Sequence, residues 1–436
     1  MKFYNRLPEK ELLQLIQKRS LTESQMTIVT GRRRIGKTTL IRNAFENHPM
    51  VYLFVARKNE VLLCQEFVEI IMTSLKTEMH GEFRSFNQIF AFLMELSARE
   101  PFTLIIDEFQ EFLNINPSVF SEMQNTWDQK KSKSNLNLLL CGSVYSLMQK
   151  LFLNAREPLF GRANNRLHIK PFSTYTIKEI LEDNHPGYTK DDLLSVYMLT
   201  GGIPRYLELL VSAKAFTINS ILGEVFSLNS FYLEEGKNLL IDEFGKDYGN
   251  YFSILSLIAS SKTSRQEIES ILGISTGGYL DRLENEFSII SKSRPVLAKP
   301  GTRSLKYRID DPFLRFWFRY IYRNKSTIET GNLAYVRDIV QKDYENFCGK
   351  ALESWFIQKL TEEQTYSIIG TYWEKKNQNE IDIVAINDID QTVIIAEIKR
   401  NPKKINLKTL QSKAAGLVSQ LPGYSIIYKG YSLIDM

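Results

Sequence analysis

One stretch near the N-terminus limits this chain more than any other. Gly31-Arg32-Arg33-Arg34-Ile35-Gly36-Lys37-Thr38 fits the pattern G-x-x-x-x-G-K-[ST] without a gap. Met26 to Val29 before it are apolar and β-prone, as a buried strand should be. Thr39 to Phe45 after it carry apolar residues at helical spacing. A strand, a glycine-bearing loop and a helix N-terminus together make a nest for phosphate, because the loop N–H groups point inward and the helix dipole favours an anion. Gly31, Arg34, Ile35, Gly36 and Thr39 are expected to line it. Lys37 is expected to reach the outer phosphates and Thr38 to offer its hydroxyl to Mg²⁺. The bland alternative is a chance match in a glycine turn before a helix, and the flanking strand and helix argue against it.

The chain is 436 residues long, enough for about two to four domains. Its three cysteines, Cys64, Cys141 and Cys348, are far apart with no C-x-x-C spacing. That argues against a disulfide framework or a zinc site and suits a reducing cytoplasm. The charged N-terminus reads as no signal peptide, and no apolar run approaches a membrane span, so no membrane partner is expected. Charge is uneven. Between Ser291 and Lys325 there are ten Lys/Arg against two Asp, or +8, so the rest of the +5 chain sums to −3. Localised basicity is an electrostatic footprint for a polyanion such as DNA. The plainer reading is a solvated face whose Arg stems cover aromatics.

Residues 1–25 read as one amphipathic helix leading into the first strand, with Phe3, Tyr4 and Arg6 near an adenine ring. Met50 to Val55 read as a second buried strand and 61–98 as helical with a break near Gly81. Phe102 to Ile106 are apolar and run straight into Asp107 and Glu108. A parallel strand buried on both faces shows such a run, and its C-terminal end is where ligands bind. Asp107 is expected to hold Mg²⁺ and Glu108 to act as general base on the attacking water. Leu136 to Cys141 form another buried strand ending at Gly142-Ser143, where Ser143 faces the γ-phosphate or caps a helix. Arg162 reads either as a cationic finger on a nucleotide or as a loop arginine. Arg205 follows Pro204 at a helix start, where a cation gains nothing from the dipole. It reads as a lid-type contact to phosphate or as the partner of a surface carboxylate.

Gly31–Thr39, Leu104–Gln110, Gly142–Ser143, Gly161–Arg162 and Gly201–Tyr206 stand in an order and spacing that resembles the archaeal-type ATPases of the AAA+/STAND lineage. The resemblance implies an α/β chain with a RecA-like P-loop NTPase sheet and a helical lid, with ATP and Mg²⁺ as cofactors. The expected division is an ATPase core over 1–172, a helical lid over 173–245, a winged-helix-like module over 246–325 and an α/β domain over 326–436.

In the third segment, Tyr251 to Ala259, a helix from Thr263, and a third from Tyr279 precede two strands around a Pro/Gly-rich loop. This is the order of a winged helix-turn-helix. Asp281, Glu284 and Glu286 make the third helix a poor groove reader. The wing residues Lys292, Arg294, Lys299, Arg303 and Lys306 are the better phosphate contacts, unless the module only packs on the ATPase. Asp311 caps a helix with Pro312 in its first turn. The aromatic stripe there reads as core, and Arg315, Arg319 and Arg323 share a face that could track phosphates.

In the last segment Glu397 and Lys399 share a strand face by period two, and Asp382 lies on the preceding strand. Two carboxylates on rigid strands suit Mg²⁺, and a nearby lysine can position water and balance phosphate charge. The set resembles the PD-(D/E)XK nucleases, a restriction-endonuclease-like fold. The resemblance implies Asp382, Glu397 and Lys399 as catalytic residues, Asp382 and Glu397 as metal ligands, Glu353 as the helix acid, Glu380 as an extra ligand and Gln411 facing the site. The plainer reading is surface charge on ordinary strands. The combined expectation is an ATPase that binds DNA and cuts it with Mg²⁺ under nucleotide control, as a homo-oligomer or alone. The alternative is an ATP-dependent switch or assembly scaffold whose tail does not cut.

Overall fold

The computed structural model describes every residue except 246, 247, 300, 303 and 375–377. The chain divides into two compact units, Asn5–Lys170 and Met1–Tyr4 with Pro171–Met436. The expected wing residue Arg303 lies outside the described residues.

The first unit is a five-stranded parallel sheet between helices. Its strands are β1 (Gln25–Thr30), β2 (Met50–Phe54), β3 (Phe102–Asp107), β4 (Leu136–Cys141) and β5 (Asn165–His168), in the order β2-β3-β4-β1-β5. Every residue of β3 and β4 is buried. That explains their unbroken apolar runs, since helices cover both faces of a parallel sheet. The core below them holds Phe86, Phe90, Phe109, Phe112 and Trp127, each at most 1% exposed. The N-terminal helix is Leu7–Ser20, shorter than expected, with Pro8 in its first turn. Because β4 lies between β1 and β3, the ends of all three strands open onto one edge of the sheet. That edge receives the Gly31 loop, the Asp107-Glu108 pair and Gly142-Ser143.

The second unit begins with helices from Thr174–Asn184 to Phe231–Phe244. Helices Tyr248–Ala259, Arg265–Leu272 and Gly277–Asp281 then lead to the antiparallel ribbon β6 (Ile290–Ser293) and β7 (Lys306–Ile309). Asp311 caps the next helix by accepting from the Leu314 N–H at 3.2 Å, and Phe313, Phe316, Trp317, Phe318 and Tyr320 are all buried. The unit ends in a four-stranded sheet of order β11-β10-β9-β8, with β8 (Ile368–Tyr372), β9 (Ile381–Asn387), β10 (Thr392–Lys399) and β11 (Ser425–Ser432). β9 runs antiparallel to both β8 and β10, and β11 runs parallel to β10. The helix Leu407–Val418 makes the crossover that a parallel pair needs. The long helix Leu333–Glu362 packs on β8, β9 and β10.

The expected phosphate face over 291–325 is largely spent inside the unit. Lys292 pairs with Glu284 at 2.7 Å, Lys306 with Glu380 at 3.0 Å and Lys325 with Glu329 at 3.4 Å. Arg308 reaches Asp310 at 3.5 Å. Arg315 is 9% exposed and lies over the Phe347 ring, while Arg319 donates to Asp343 and to the Ala259 carbonyl. Arg294, Lys299 and Arg323 remain exposed. The face read from helical spacing is therefore not a free row: its first two arginines are internal fasteners.

Candidate functional site

The loop after β1 is bent where its glycines allow it. Gly31 has φ +153° and Gly36, the N-cap of the helix Lys37–Ala44, has φ +85°. A Cβ on Gly31 would lie 2.9 Å from the Ile169 carbonyl oxygen, so the loop is pressed onto the end of β5. Ile35 is 1% exposed, and its Cγ2 would lie 3.1 Å from the same Cβ. Arg34 adopts φ +69° and points outward, and Thr39 is exposed.

Lys37 is 8% exposed, and its ammonium donates to the carbonyls of Gly31 at 2.8 Å and Arg32 at 3.2 Å. No carboxylate pairs with it among the described residues. Burial pushes its pKa down, and Glu108 and Asp107 pull it partly back. A buried cation held only by neutral carbonyls lacks a counter-charge, which fits an oxyanion at this place.

Asp107, 7% exposed, closes β3. Its Oδ2 accepts from Thr38 Oγ1 at 3.1 Å and from the Tyr52 hydroxyl at 2.6 Å, while its Oδ1 accepts from the Glu108 N–H at 3.0 Å. The Thr38 hydroxyl and an Asp107 oxygen thus adjoin, two hard oxygen donors of the kind Mg²⁺ takes. Glu108 has φ +54°, a left-handed conformation uncommon for a residue with a side chain. Its Oε2 accepts from the Ser143 hydroxyl at 2.7 Å and the Gln110 amide at 2.5 Å. Ser143 was expected to face phosphate or cap a helix; here its hydroxyl holds Glu108.

Tyr52 went unread in the sequence. Burial and the Asp107 hydrogen bond push its pKa up. A signal existed: a tyrosine within the apolar run Met50 to Val55 must find a partner for its hydroxyl.

Arg162 lies elsewhere in the same unit, paired with Asp128 at 2.9 Å and donating to the Pro158 and Phe160 carbonyls. Arg205 belongs to the other unit and pairs with Glu208 at 2.7 Å. Each arginine thus pairs with a carboxylate of its own unit. Tyr4 and Phe3 also belong to the other unit, where the Tyr4 hydroxyl donates to Asp183 at 2.8 Å.

A second cluster sits on β9 and β10. Their pairing runs from Thr392↔Asn387 to Ala396↔Ile383, and one further step places Glu397 opposite Asp382. Lys399 Nζ lies 3.8 Å from Asp382 and 3.3 Å from Glu397. The Ile398 N–H donates to Asp382 Oδ2 at 2.8 Å and the Asn406 N–H to Glu397 Oε2 at 3.2 Å, so both carboxylates are held by backbone. Glu353 pairs with Lys350 at 3.0 Å. Burial raises the Glu353 pKa; Lys350 opposes this, and Asp382 and Glu380 add to it. Glu380 is turned to Lys306 at 3.0 Å, and Gln411 is exposed without a hydrogen bond to the carboxylates. Among the described residues no group of three or more His, Cys, Asp or Glu is gathered closely enough to hold a metal ion. The cluster is a two-carboxylate pair with a lysine between, not a ring of acids.

No helix among the described residues is long and apolar enough to cross a membrane. Residues 3–210 match a family described as an ATPase domain predominantly from Archaea. Residues 317–410 match one described as "Archaea bacterial proteins of unknown function". An uncharacterized protein of Methanocaldococcus jannaschii, MJECL04, is 28% identical over 97% of this chain and 94% of its own length. Among solved structures, the Walker-type ATPase PABY2304 of Pyrococcus abyssi superposes with a TM-score of 0.56 at 19% identity. The match covers 73% of this chain and 96% of that one. The ORC2 protein of Aeropyrum pernix aligns over 75% of this chain and 96% of its own, at 15% identity, with a TM-score of 0.49. Residues 3–210, which hold the parallel sheet and its glycine-bent loop, are thus similar to an ATPase domain found predominantly in Archaea.

Proposed function

We propose that this chain binds ATP at the Gly31–Thr38 loop and hydrolyses it. The observation that carries the proposal is the buried ammonium of Lys37, held by the loop carbonyls of Gly31 and Arg32 and paired with no carboxylate among the described residues. Thr38 and Asp107 would hold Mg²⁺, which when bound offsets phosphate charge. Glu108 orients and deprotonates the attacking water, and Ser143 and Gln110 fix its carboxylate through one oxygen. Arg162 and Arg205 have no part in this reading, since each holds a carboxylate. The test pairs two variants. Lys37→Ala should lose ATP binding by calorimetry, and Glu108→Gln should bind ATP but lose turnover. Normal hydrolysis by Glu108→Gln would remove Glu108 from the role of base.

A second activity has its own support. The Asp382–Glu397 pair with Lys399 between them, on a helix-strand-strand-strand-helix-strand succession, suits metal-assisted cleavage of a phosphodiester in DNA. Asp382 and Glu397 would hold Mg²⁺, whose contribution is Lewis acidity at phosphate. Lys399 balances the phosphate charge. A supercoiled plasmid nicked by wild type and spared by Asp382→Ala and Lys399→Ala would support this. Intact plasmid with both Mg²⁺ and Mn²⁺ would leave the alternative, a nucleotide-driven switch or scaffold.

A further inference from the structure

From Ile398 to Ile434 there are seven Lys/Arg and no Asp or Glu. The concentration is greatest just after β10, where Lys399 leads into Lys403, Lys404 and Lys408. Lys403, Lys404 and Lys408 are all exposed and none of them pairs with a carboxylate among the described residues. This contrasts with 291–325, where most cations are held by neighbours.

The backbone beneath these lysines is pinned. The Lys403 N–H donates to Asn401 Oδ1 at 3.0 Å. Ile405 presses on β11 where Gly430 leaves no room for a Cβ, its Cγ2 only 2.5 Å from that position. The Asn406 N–H is bonded to Glu397, and Asn406 Oδ1 caps the helix Leu407–Val418 by accepting from Thr409 N–H at 3.1 Å. The lysine tips are exposed on a fixed base, and the base is tied to a carboxylate of the β9–β10 cluster.

We propose that this surface, Lys403, Lys404 and Lys408 leading to Lys399, is where the chain grips the phosphate backbone of a nucleic acid. The idea rests on the phosphodiester reading of Asp382, Glu397 and Lys399 and supplies the face that brings the strand to them. Charge complementarity favours a polyanion. The chemistry of the surrounding surface favours nucleic acid over an anionic membrane. Asn401, Asn406, Thr409, Gln411 and Ser412 surround the lysines with hydrogen-bonding groups, and Leu407 is the one large apolar side chain exposed among residues 399–413. A membrane-surface helix needs a broad apolar face.

The experiment is binding of a fluorescent duplex to the full chain in EDTA, titrated across salt, so that cleavage is not required. Each lost phosphate contact on duplex DNA should flatten the log–log salt slope by about 0.9. Lys403→Ala/Lys404→Ala/Lys408→Ala should therefore flatten it by about 2–3 and weaken binding at least tenfold at low salt. Arginine at the three positions should restore the slope. Arg294→Ala/Lys299→Ala should leave it unchanged. An unchanged slope in the triple alanine variant overturns the proposal. So does loss of slope in the Arg294/Lys299 variant alone, or lysine-dependent binding to phosphatidylserine vesicles with none to DNA. A chain whose triple variant loses the slope but that never nicks plasmid keeps the surface and refutes the cleavage reading. A triple variant that still cuts like wild type refutes the surface alone.

Discussion

Gly31→Ala should break the nucleotide loop by a route that can be separated from simple backbone strain. Two effects act. At φ +153° an alanine is strained, at about 1–3 kcal/mol for a residue held in a sparsely populated region. The new Cβ would also stand 2.9 Å from the Ile169 carbonyl oxygen and 3.1 Å from Ile35 Cγ2. The first neighbour is backbone just past β5, bonded to the Thr30 carbonyl at 2.8 Å, and cannot swing aside, so an overpacking term of about 1–3 kcal/mol is added. Reduced freedom of the unfolded chain returns about 0.4–1 kcal/mol. The net is about 3 kcal/mol. Relief would come by displacing the Gly31 carbonyl, and that carbonyl is what holds Lys37 at 2.8 Å. Native-state hydrogen exchange of the β1 and β5 amides is the assay. Where they exchange through opening of the unit, 3 kcal/mol means about 150-fold faster exchange. Calorimetry should show ATP binding lost as well. Gly81→Ala is the control, for Gly81 has φ +101° but open space where its Cβ would go. It should accelerate exchange by about tenfold and leave ATP binding alone. Equal effects from the two substitutions, or normal ATP binding by Gly31→Ala, would refute the role of the close approach to β5.

Three other outcomes are expected. Gly236→Ala should destabilise the second unit despite a helix-propensity gain of about 1 kcal/mol, because its Cβ would fall 2.1 Å from Cδ2 of Trp317. That indole is fixed by its bond to the Leu233 carbonyl. Gly349→Ala, with open space at its Cβ, should raise the unfolding midpoint instead. Burial raises all three thiols, Cys64 and Cys348 to about 12. Native protein at pH 8 should therefore be inert to Ellman's reagent and release three equivalents only when unfolded. Burial opposes ionisation of Asp343, but Tyr320 and Arg319 outweigh it and hold the folded carboxyl below its usual 3.8. Its stabilisation is thus present above pH 3.8 and lost as pH falls through the lower folded value. Asp343→Asn should lower stability at pH 7 and lessen its decline below pH 4, measured by urea unfolding at each pH.

Much of the first unit was legible because its signals are local. A buried parallel strand declares itself as a continuous apolar run, and the Gly31–Thr38 loop lies between a strand and a helix within a short stretch. The Asp107-Glu108 pair was readable for the same reason, ending an apolar run. What those carboxylates touch was not. Ser143 meets Glu108 only because β4 inserts between β1 and β3, and Tyr52 meets Asp107 only because β2 pairs with β3. Neither neighbour relation is written in residue spacing.

Charge shows the same division more sharply. The basic stretch 291–325 is plain in the sequence, but whether its cations are free depends on acids brought from elsewhere, as Lys306 meets Glu380 from 74 residues away. After Glu397, Lys403, Lys404 and Lys408 are exposed and paired with no carboxylate among the described residues, while Lys399 and Lys413 are drawn to Glu397. The sequence by itself determined where the long apolar strands lie, which loop is built for phosphate and where charge accumulates, since these follow from backbone sterics and residue period; the short polar β5 and the edge strand β11 were not read from it. Only the tertiary structure decided which charges are left for a partner. An ion pair needs contact within a few ångströms, and chain crossings rather than chain order set those distances.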